Sequence, residues 1–600
     1  MKPRPIMDRL RLGEDILALA VFFAMIFIPV IETVSRWLDV RGIPAAPVLV
    51  QHLTLWIGFI GAVLAAQQNK LLSLSVKPLF NSENEIHFGR WMAKTVSFIV
   101  IISLMWGSIH FIKWEFLYPV DIAPNIPRWF AQLIIPIGFA LIAFHILKNS
   151  GKDRFYIGSI LMVSLIWFML SITDAFVEQS WFVWFGMLIL LLSLVFGAPI
   201  FVGLGGIAAL LFWMDSTPIA SIPAETYRIV VSPTLPTIPL FTLAGYLLAE
   251  SKASERMFRL FSALFGWIPG GTPVVVVLLC GFFTALTGGS GVTILALGGL
   301  LYPLLKKEGY SDQFTLGLIT VAGSIGLLFP PSLPAIIYSV TAGISVKSVF
   351  IAGLIPGILL IVLMSGWSIF QGRIQKIKRP PFNIKKVLKS IVETKWEILI
   401  PIIILSGVFA GFTTLVETAA ISVVYILFIE VFVYKDLSLK KLPGIIVECA
   451  TLVGGVLIIL GVAMGLTSYF VDAQVPAMIL TWVKTAITSK LTFLLMLNVF
   501  LLAVGCFMDI FSAMIVIAPL IAPIGAHFGI NPIHLAVIFI ANLELGFFTP
   551  PVGMNLFLSA YRFNRDMPTI YKSTLPFFFI RLIAVLVITY VPFLSLFLLN

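Results

Sequence analysis

A pattern of 12 residues, with a glycine and a Pro-Pro pair at the same positions, occurs twice in this chain. It limits the possible folds more than any other feature. The first copy runs Ile325-Gly-Leu-Leu-Phe-Pro-Pro-Ser-Leu-Pro-Ala-Ile336, and the second, 220 positions later, runs Leu545-Gly-Phe-Phe-Thr-Pro-Pro-Val-Gly-Met-Asn-Leu556. Each copy places a glycine and a Pro-Pro pair inside an apolar run, where they remove backbone hydrogen bonds that hydrocarbon cannot replace. Two matched broken helices in a membrane protein indicate a site for a transported ion and its substrate.

The composition places this chain in a membrane. Of its 600 residues, 60% are hydrophobic and 11% are charged, far from the averages of soluble proteins. We therefore predict an all-α polytopic membrane protein. A net charge of +11 could indicate nucleic-acid binding in a soluble chain. Here the lysines and arginines lie in short loops between apolar runs, so we expect them to fix the orientation in membrane lipid and expect no nucleic-acid partner.

Four apolar runs occupy the first 150 residues, at about 15–35, 48–68, 92–112 and 129–147. Each is close to the ~20 residues that span a bilayer as a helix, so residues 1–150 are predicted to form a four-helix domain. Lysine and arginine are concentrated before the first run, in the second loop and after the fourth run. The positive-inside rule therefore places the N-terminus in the cytoplasm.

A fifth run, at about 155–173, leads into an acidic loop without lysine or arginine. One helix crosses the membrane once, so this run sets the orientation of everything after it. We predict that residues 151–180 form a membrane-spanning connector between two units that could exist separately. The alternative is an ordinary span within one continuous domain.

The chain after residue 180 is predicted to consist of two copies of one unit. An ungapped offset of 220 positions aligns other glycines and prolines besides those of the repeated stretch, which favours a duplication. Copy one is assigned to residues 181–395, including a basic connector at its end, and copy two to residues 396–600. The further aligned pairs are Gly245 with Gly465, Pro303 with Pro523, Gly309 with Gly529, and Pro356 with Pro576.

The loop charges predict that the two copies are inverted. Copy one has Lys306 and Lys307 in a loop whose counterpart in copy two, residues 525–531, has no lysine or arginine. The bias reverses after the broken helix, and the connector at residues 373–395 holds eight lysines or arginines. This pattern predicts an inverted-topology repeat with a cytoplasmic connector and an external C-terminus.

Before each broken helix lies an apolar stretch of about 35 residues, at 271–305 and 491–525, interrupted near its middle. The interruptions are Thr287-Gly-Gly-Ser-Gly-Val-Thr293 and Gly505-Cys-Phe-Met-Asp-Ile-Phe-Ser512. At ~1.5 Å per residue, an arm of about 15 residues is too short to cross the membrane comfortably. Each stretch is therefore predicted to be a re-entrant hairpin with its tip near the midplane.

Two hairpin tips that face two helix breaks would gather free carbonyls, hydroxyls and helix ends inside the membrane. Carbonyls and helix C-termini suit Na⁺, whereas hydroxyls and helix N-termini suit an anion. The alternative is that the small residues merely allow close helix packing. Asp509, predicted at the second tip, could bind a cation, contact substrate, carry a proton or cap a helix.

Other polar residues and motifs are assigned no transport or catalytic role. We expect Glu417, Glu430, Glu448 and Glu544 to be structural or interfacial. We expect His527 and His534 to be solvated near an external loop. The sequence contains no P-loop, no HExxH and no GxSxG motif, so neither ATP hydrolysis by a P-loop nor those hydrolase chemistries are expected.

Four segments resemble the large membrane subunit of the tripartite ATP-independent periplasmic (TRAP) transporters. They are TALTGGSGVTILALGGLLYP, GSIGLLFPPSLPAIIYSVTAGIS, GCFMDIFSAMIVIAPLIAPI and NLELGFFTPPVGMNLFL. Two others, EDILALAVFFAMIFIPVIETVSRW and PRWFAQLIIPIGFALIAFHIL, are similar to the small four-helix subunit. The resemblance covers nearly the whole chain and identifies it as a fusion of both subunits.

The resemblance implies a Na⁺-driven elevator-type importer, similar to the ion transporter superfamily, in the inner membrane of a bacterium. A periplasmic substrate-binding protein would deliver a small organic anion, and at least two Na⁺ ions would bind, without ATP. The hairpins and broken helices would move, while the four-helix domain and outer helices form the scaffold. The C-terminus would then be periplasmic.

Site residues carried over from the family fall into three groups. One Na⁺ site is expected at Thr287, Gly289, Ser290, Gly326, Phe329 and Pro331. A second is expected at Gly505, Met508, Gly546, Thr549 and Pro551. Ser332 and Asp509 are expected to border the substrate, together with Ser290 and Asn542. The tip sequence Gly-Gly-Ser-Gly differs from the Ser or Asn that other members often carry, which leaves open which hydroxyls bind Na⁺.

Other functions remain as alternatives. A stand-alone ion-coupled carboxylate transporter or exchanger could share the inverted hairpin plan, although it would need no four-helix subunit. A membrane enzyme acting on lipid would need clustered histidines or acids at an interface, and none is evident in the sequence. A channel would differ in showing no saturable, turnover-limited flux. The transported acid is not specified by the sequence.

Overall fold

The computed structural model describes residues 6–73, 83–150, 154–172, 180–377, 380–487, 489–508, 510–550 and 553–599. Two short strands, β1 (Asp121–Ala123) and β2 (Ile126–Pro127), pair in an antiparallel hairpin. An isolated bridge joins Ser73 to Pro199. The other regular structure in these residues is helical, which confirms the predicted all-α class.

The chain forms two compact units. The first comprises Met1–Pro239 with Ile446–Met478, and the second comprises Leu240–Ile445 with Ile479–Asn600. Part of copy two therefore belongs to the same compact unit as the N-terminal helices. The domain boundaries predicted above follow the sequence repeat rather than spatial contacts, and they stay a prediction.

The N-terminal part of the chain contains the predicted four-helix domain, the connector and the first helices of copy one. Its elements are α1 (Ile6–Trp37), α2 (Ala46–Gln67), α3 (Glu83–Leu117), α4 (Arg128–Gln132), α5 (Ile134–Lys148), α6 (Arg154–Ile172), α7 (Ser180–Val195), α8 (Ile200–Met214) and α9 (Ser221–Val230). A polar cluster joins three of these helices: Glu14 of α1 accepts a hydrogen bond from Gln67 of α2 at 2.6 Å and lies 2.9 Å from Nε2 of His145 in α5. These contacts join α1, α2 and α5 within the four-helix domain.

The rest of copy one, the connector after it and the first helices of copy two follow. Their elements are α10 (Thr237–Ala249), α11 (Ala253–Phe265), α12 (Gly271–Thr287), α13 (Ser290–Lys307), α14 (Asp312–Ala322), a 3₁₀ turn (Ile325–Leu328), α15 (Leu333–Thr341), α16 (Val346–Ile374), α17 (Ile384–Ala410), α18 (Leu415–Phe428) and a π-helical turn (Ile429–Val433). Six prolines lie inside or at the first turn of these helices, and Pro330 and Pro331 are joined by a cis peptide bond between the 3₁₀ turn and α15.

The remaining part of copy two repeats the order of helices in copy one. Its elements are α19 (Leu442–Asp472), α20 (Val475–Ala486), α21 (Lys490–Phe507), α22 (Ile510–His527), α23 (Pro532–Gly546), α24 (Met554–Phe563), α25 (Met567–Tyr590), α26 (Phe593–Leu596) and a 3₁₀ turn (Phe597–Leu599). Helices α13 and α22 begin 220 positions apart and also end 220 positions apart. The starts of α12 and α21 and of α16 and α25 match within one residue of that offset. The helix bounds thus agree with the duplication inferred from glycine and proline.

Nine helices in the described residues are long and apolar enough to cross a membrane, or ten if the bent pair around the first Pro-Pro counts as one span. Several others, including α12, α21 and α23, are apolar but shorter. The lengths therefore agree with a multi-pass membrane protein.

Two glycines bring α2 and α19 into backbone contact within the first unit. A Cβ atom on Gly61 would lie 2.0 Å from the carbonyl oxygen of Ala450, and one on Gly454 would lie 2.2 Å from the nitrogen of Ala62. Close approach at small residues is a common way for helices to associate in membranes, where burial of apolar surface contributes little. This crossing ties the four-helix domain to copy two.

Arg256 of α11 contacts three carboxylates in the second unit. They belong to Glu397 of α17, Glu430 of the π-helical turn and Asp436 just after it, and Nη2 of Arg256 lies 3.0 Å from Oε2 of Glu430. The ring of Tyr434 lies 3.7 Å from the guanidinium carbon, and its hydroxyl donates to Oε2 of Glu397 at 2.6 Å. The cluster therefore fastens α11 to α17 and to the end of α18.

Candidate functional site

The first predicted hairpin reverses direction at Gly288 and Gly289. Helix α12 ends at Thr287, and Gly288 has φ +67°, a left-handed conformation that glycine adopts without a Cβ penalty. The hydroxyl oxygens of Thr284 and Thr293 lie 2.7 Å apart on the two arms. In a continuous helix, residues nine positions apart would be separated by roughly 13 Å along the axis. The two arms therefore form a tight helical hairpin.

The first helix break packs against the first arm of this hairpin. Helix α14 with its 3₁₀ turn and helix α15 are bent by 48°. A Cβ atom on Gly326 would lie 2.3 Å from the carbonyl oxygen of Gly281 and 2.4 Å from the nitrogen of Ala285, so only glycine fits at this position. Thr284 also donates a hydrogen bond to the carbonyl of Gly323 at 2.8 Å. The structure thus brings the first tip and the first break together.

The hydroxyls predicted at this site have different environments. Thr287 is 1% exposed, and its Oγ1 has no hydrogen-bond partner in the part of the chain that the structure describes. Ser290, also 1% exposed, donates to Oδ1 of Asn555 at 2.7 Å. Ser332 caps α15 by accepting from the nitrogen of Ala335 and donates to the carbonyl of Leu327. Its hydroxyl is therefore engaged within the break itself.

The other residues predicted for the first Na⁺ site have no polar side chain, so only their backbone groups could bind a cation. Gly289 is extended, with φ −133° and ψ 115°, between the two arms. Phe329 donates its backbone N–H to the carbonyl of Gly326 at 3.0 Å, and its ring lies against Gly357 of α16. Pro331 is buried at the start of the turn into α15.

The second tip and the second break form a matching arrangement. Helix α21 ends at Phe507 and α22 begins at Ile510. A Cβ atom on Gly546 would lie 2.6 Å from the Cα atom of Gly505, so the two backbones touch as they do at Gly326. Met508, with φ −117° and ψ 152°, leaves the helical conformation between the two arms.

Cys506 connects the second tip to the chain beyond the break. Its carbonyl accepts from the nitrogen of Gly553 at 2.9 Å, and its thiol donates to the carbonyl of Thr549 at 3.2 Å. The hydroxyl of Thr549 donates to the carbonyl of Leu545 at 2.8 Å. Asp509 and Pro551 lie outside the described residues, so their predicted roles stay predictions.

Asn542 belongs to a different polar group. Its amide nitrogen donates to Oδ1 of Asn498 in α21 and to the carbonyl of Ile538, both at 2.8 Å. The hydroxyl of Thr589 in α25 also donates to Asn498, at 3.0 Å. The predicted substrate residue Asn542 is thus held one turn before the break by contacts among α21, α23 and α25.

Asn555 was not among the predicted site residues, yet it contacts both halves of the site. Asn555 is 0% exposed, and besides Ser290 it contacts the carbonyls of Thr320 and Phe547. The signal in the sequence was a polar residue in the second 12-residue stretch where the first has Ala335. Its backbone N–H donates to Phe547 at 2.9 Å, and its Nδ2 donates to Thr320 at 3.3 Å.

Acidic residues outside the tips have structural contacts, as predicted. Glu544 pairs with Arg581, Glu430 pairs with Arg256, and Lys70 lies 3.7 Å from Glu448. Glu417 forms a capping box with Thr414 at the start of α18. No group of three or more His, Cys, Asp or Glu side chains suited to a metal ion occurs in the described ranges.

The prediction that His534 is solvated is wrong. This residue is 2% exposed in α23, where Nδ1 lies 3.1 Å from the hydroxyl of Ser595 and Nε2 lies 3.2 Å from the carbonyl of Thr589. The adjacent loop suggested solvent. The first turn of α23 instead packs against α25 and α26, which cover the imidazole.

Two family models match this chain. The model described as "Tripartite ATP-independent periplasmic transporter, DctM component" matches residues 185–594, and the one described as "Tripartite ATP-independent periplasmic transporters, DctQ component" matches residues 25–154. The first match covers more than half of the chain. The chain belongs to the TRAP transporter family. It combines the DctQ and DctM components of a TRAP transporter in one polypeptide. The members of this family are transporters, which confirms the prediction that the chain is a transporter and not an enzyme.

Similar proteins include both fused and separate TRAP permeases. The "isethionate TRAP transporter permease protein DctMQ" of Oleidesulfovibrio alaskensis is 29% identical over 595 residues, covering 96% of this chain and 93% of the relative. The "C4-dicarboxylate TRAP transporter large permease protein DctM" of Pseudomonas aeruginosa is 33% identical over 393 residues, covering 65% and 92%. The "sialic acid TRAP transporter permease protein SiaT" of Haemophilus influenzae is 26% identical over 601 residues, covering 96% and 97%.

A solved structure has a weaker likeness. The YdaH transporter of Alcanivorax borkumensis superimposes with a TM-score of 0.40 and 14% identity, over 60% of this chain and 88% of that one. This likeness is too low to support any statement about the TRAP transporter.

Proposed function

We propose that this TRAP transporter is a Na⁺-coupled importer of a small organic anion, which a periplasmic substrate-binding protein delivers. The two re-entrant hairpins and the two broken helices form a mobile elevator domain, and the remaining helices form the scaffold. At least two Na⁺ ions bind at the tips before this domain moves across the bacterial inner membrane. No ATP is used.

The proposal rests on the hydroxyl of Thr287, which has no hydrogen-bond partner among the residues that the structure describes. A buried polar group that makes no hydrogen bond costs about 1–3 kcal/mol, so its retention at the first tip calls for a ligand. Thr287 is the last residue of α12, and the C-terminal end of a helix carries partial negative charge that favours a cation. A Na⁺ ion at this position would use the hydroxyl oxygen and the nearby carbonyls.

The paired geometry supports a second ion. At each site a break glycine, Gly326 or Gly546, lies against the first hairpin arm, and the chain beyond it leaves the helical conformation. Backbone carbonyls released at such breaks coordinate Na⁺ in other transporters built from inverted repeats. We therefore assign the first ion to Thr287 and Ser290 with the first break, and the second to Gly505 and Met508 with the second break.

The relatives support an anionic substrate. The names of three similar permeases refer to isethionate, C4-dicarboxylates and sialic acid, all small organic acids. We propose the same broad class for this chain, a carboxylate, sialic acid or sulfonate. Two or more Na⁺ ions would more than offset the charge of a monovalent anion, and the membrane potential then contributes ~2.3 kcal/mol per net charge per 100 mV.

The orientation is also proposed. The basic loops favour a cytoplasmic N-terminus, and the inverted charge bias of copy two favours a periplasmic C-terminus. Alkaline phosphatase, which is active only in the periplasm, should be active when fused after residue 600 and inactive when fused just after α5, where the fourth apolar run has ended. The opposite pattern would contradict this orientation.

Reconstituted transport tests the mechanism. The purified chain in liposomes should take up the ligand of its cognate binding protein only when an inward Na⁺ gradient and that binding protein are both present. Replacing external Na⁺ with K⁺ should abolish uptake, and a Na⁺ gradient without the binding protein should give none. Uptake driven equally well by K⁺, or uptake of free ligand, would contradict the proposal.

A further inference from the structure

We infer that Asn555 is a positioning residue for the first Na⁺ site: by accepting the hydroxyl proton of Ser290, it turns the oxygen lone pairs of Ser290 toward the cation. The inference rests on the Na⁺-coupled function proposed above. It adds a residue from copy two to a site whose other residues all come from copy one.

The orientation of the Asn555 amide follows from its neighbours. The side chain is fully buried, and one end of its amide lies 3.3 Å from the carbonyl oxygen of Thr320. A carbonyl oxygen only accepts hydrogen bonds, so this end must be the NH₂ group. The other end, Oδ1, is therefore the atom that lies 2.7 Å from Oγ of Ser290.

This orientation fixes what Ser290 can do. An amide oxygen only accepts, so the single hydroxyl proton of Ser290 must point toward Asn555. The two lone pairs of Oγ then face away from Asn555, and they can accept from a donor or bind a cation. Ser290 then has no proton left to donate to an anion. Ser290 is therefore assigned to Na⁺ rather than to the substrate, which decides between its two predicted roles.

Other contacts hold Asn555 in place. Its backbone N–H donates to the carbonyl of Phe547 at the second break. One helical turn later in α24, the hydroxyl of Ser559 lies 2.8 Å from the hydroxyl of Thr320. Asn555 and Ser559 thus clasp α13 and α14 of copy one from the helix that follows the second break.

The clasp occurs in only one of the two equivalent interfaces. The offset of 220 positions relates Ser290 to Ile510 and Asn555 to Ala335, neither of which has a side chain that forms hydrogen bonds. Ser559 corresponds to Ser339, whose hydroxyl donates to the carbonyl of Ala335 in its own helix at 2.6 Å. Because the duplicated fold forms the second interface without this clasp, folding alone does not explain it.

Na⁺ binding by the purified full-length chain tests the inference without knowledge of the substrate. Radioactive Na⁺ binding in nanodiscs would be titrated for the wild type, Ser290→Ala, Asn555→Leu and the double variant. We expect each single variant to raise the half-saturating Na⁺ concentration of the weakened site about tenfold. The double variant should be no weaker than Ser290→Ala, because residues that act as one unit are not additive.

Two further variants separate positioning from folding. Asn555→Asp should keep Na⁺ affinity at least at the wild-type level, since an aspartate still accepts from Ser290 and, when protonated, can donate to Thr320. Ser339→Ala, the repeat counterpart of Ser559, should leave Na⁺ binding unchanged. If Asn555→Leu does not yield a monodisperse protein, the smaller Asn555→Ala removes the amide without putting two methyl groups in its place.

The outcomes distinguish the two proposals. If Ser290→Ala weakens Na⁺ binding but the Asn555 variants that lack an acceptor bind as tightly as the wild type, the role of Asn555 is wrong and the first Na⁺ site stands. Additive losses in the double variant would also overturn it. If Ser290→Ala and Thr287→Val both bind Na⁺ normally, the assignment of the first site fails, and the inference about Asn555 fails with it.

Discussion

Glu544 and Arg581 form an ion pair in which the side chains are 0% and 1% exposed, between α23 and α25 of the second unit. One hydrogen bond joins Arg581 Nη2 to Glu544 Oε2, and within the described ranges Nε and Nη1 of Arg581 and Oε1 of Glu544 have no hydrogen-bond partner. In copy one the corresponding residues are Ser324 and Ile361. The pair is therefore an addition to the duplicated fold rather than a requirement of it.

Removal of one partner of this pair should be strongly destabilising. Arg581→Ile or Glu544→Ser alone leaves a buried charge without its counterion, and such losses cost about 3–5 kcal/mol. The double variant Glu544→Ser with Arg581→Ile installs the residues of copy one and should lose much less stability than either single variant. Thermal unfolding of the detergent-solubilised proteins measures this. A double variant as unstable as the sum of the single variants would contradict the argument.

The contact of Gly61 and Gly454 between α2 and α19 predicts that an alanine at Gly61 lowers the stability of the protein, whereas an alanine at an open glycine does not. Gly61→Ala should destabilise the chain, because its Cβ atom would meet the backbone of Ala450 in α19, which cannot move aside as a side chain can. Gly13→Ala in α1 is the control, since its Cβ atom would meet no heavy atom of the described residues within 4 Å. It should be neutral or stabilise by up to ~1 kcal/mol. Size-exclusion profiles after heating compare the two variants.

The break glycines should be essential for transport. Gly326→Ala and Gly546→Ala each place a Cβ atom within 2.6 Å of the backbone of a hairpin arm, which forces the break and the arm apart. We expect Na⁺-dependent uptake to fall at least tenfold in both variants. Gly366→Ala in α16 is the matched control because its Cβ atom would contact no described heavy atom within 4 Å. Equal uptake by all three variants would contradict this prediction.

Thr287→Val should change stability and Na⁺ binding in opposite directions. Valine has the shape of threonine and removes a buried hydroxyl that lacks a hydrogen-bond partner among the residues described, so the Na⁺-free protein should become more stable. The same change removes a proposed Na⁺ ligand. The rise in melting temperature on adding Na⁺ should therefore shrink, since that rise reports ligand affinity. A variant with an unchanged Na⁺-induced rise would exclude Thr287 as a ligand.

The helix breaks could be predicted from the sequence because glycine and proline act locally. The interruptions at 287–293 and 505–512 predict where α12 and α21 end and where α13 and α22 begin. The 220-residue offset added the correspondence between the copies. Loop charge could be read in the same way, since it needs only the order of residues along the chain.

Contacts between distant residues could not be predicted. Asn555 is 265 positions from Ser290, and no local pattern connects a residue after the second Pro-Pro to the first tip. His534 was misjudged for a similar reason: its neighbours in sequence belong to a loop, but its neighbours in space belong to the last two helices. A polar residue that replaces an apolar one between two copies of a repeat is the signal that would have found Asn555.

The three carboxylates around Arg256 also affect how the chain is made. Arg256 leaves the ribosome before its partners, which follow 141, 174 and 180 residues later at Glu397, Glu430 and Asp436. Until then its charge has to remain at the aqueous interface, where the amphipathic α11 can lie flat. The contacts of α11 in copy one are therefore complete only after α17, α18 and Asp436 have been synthesised.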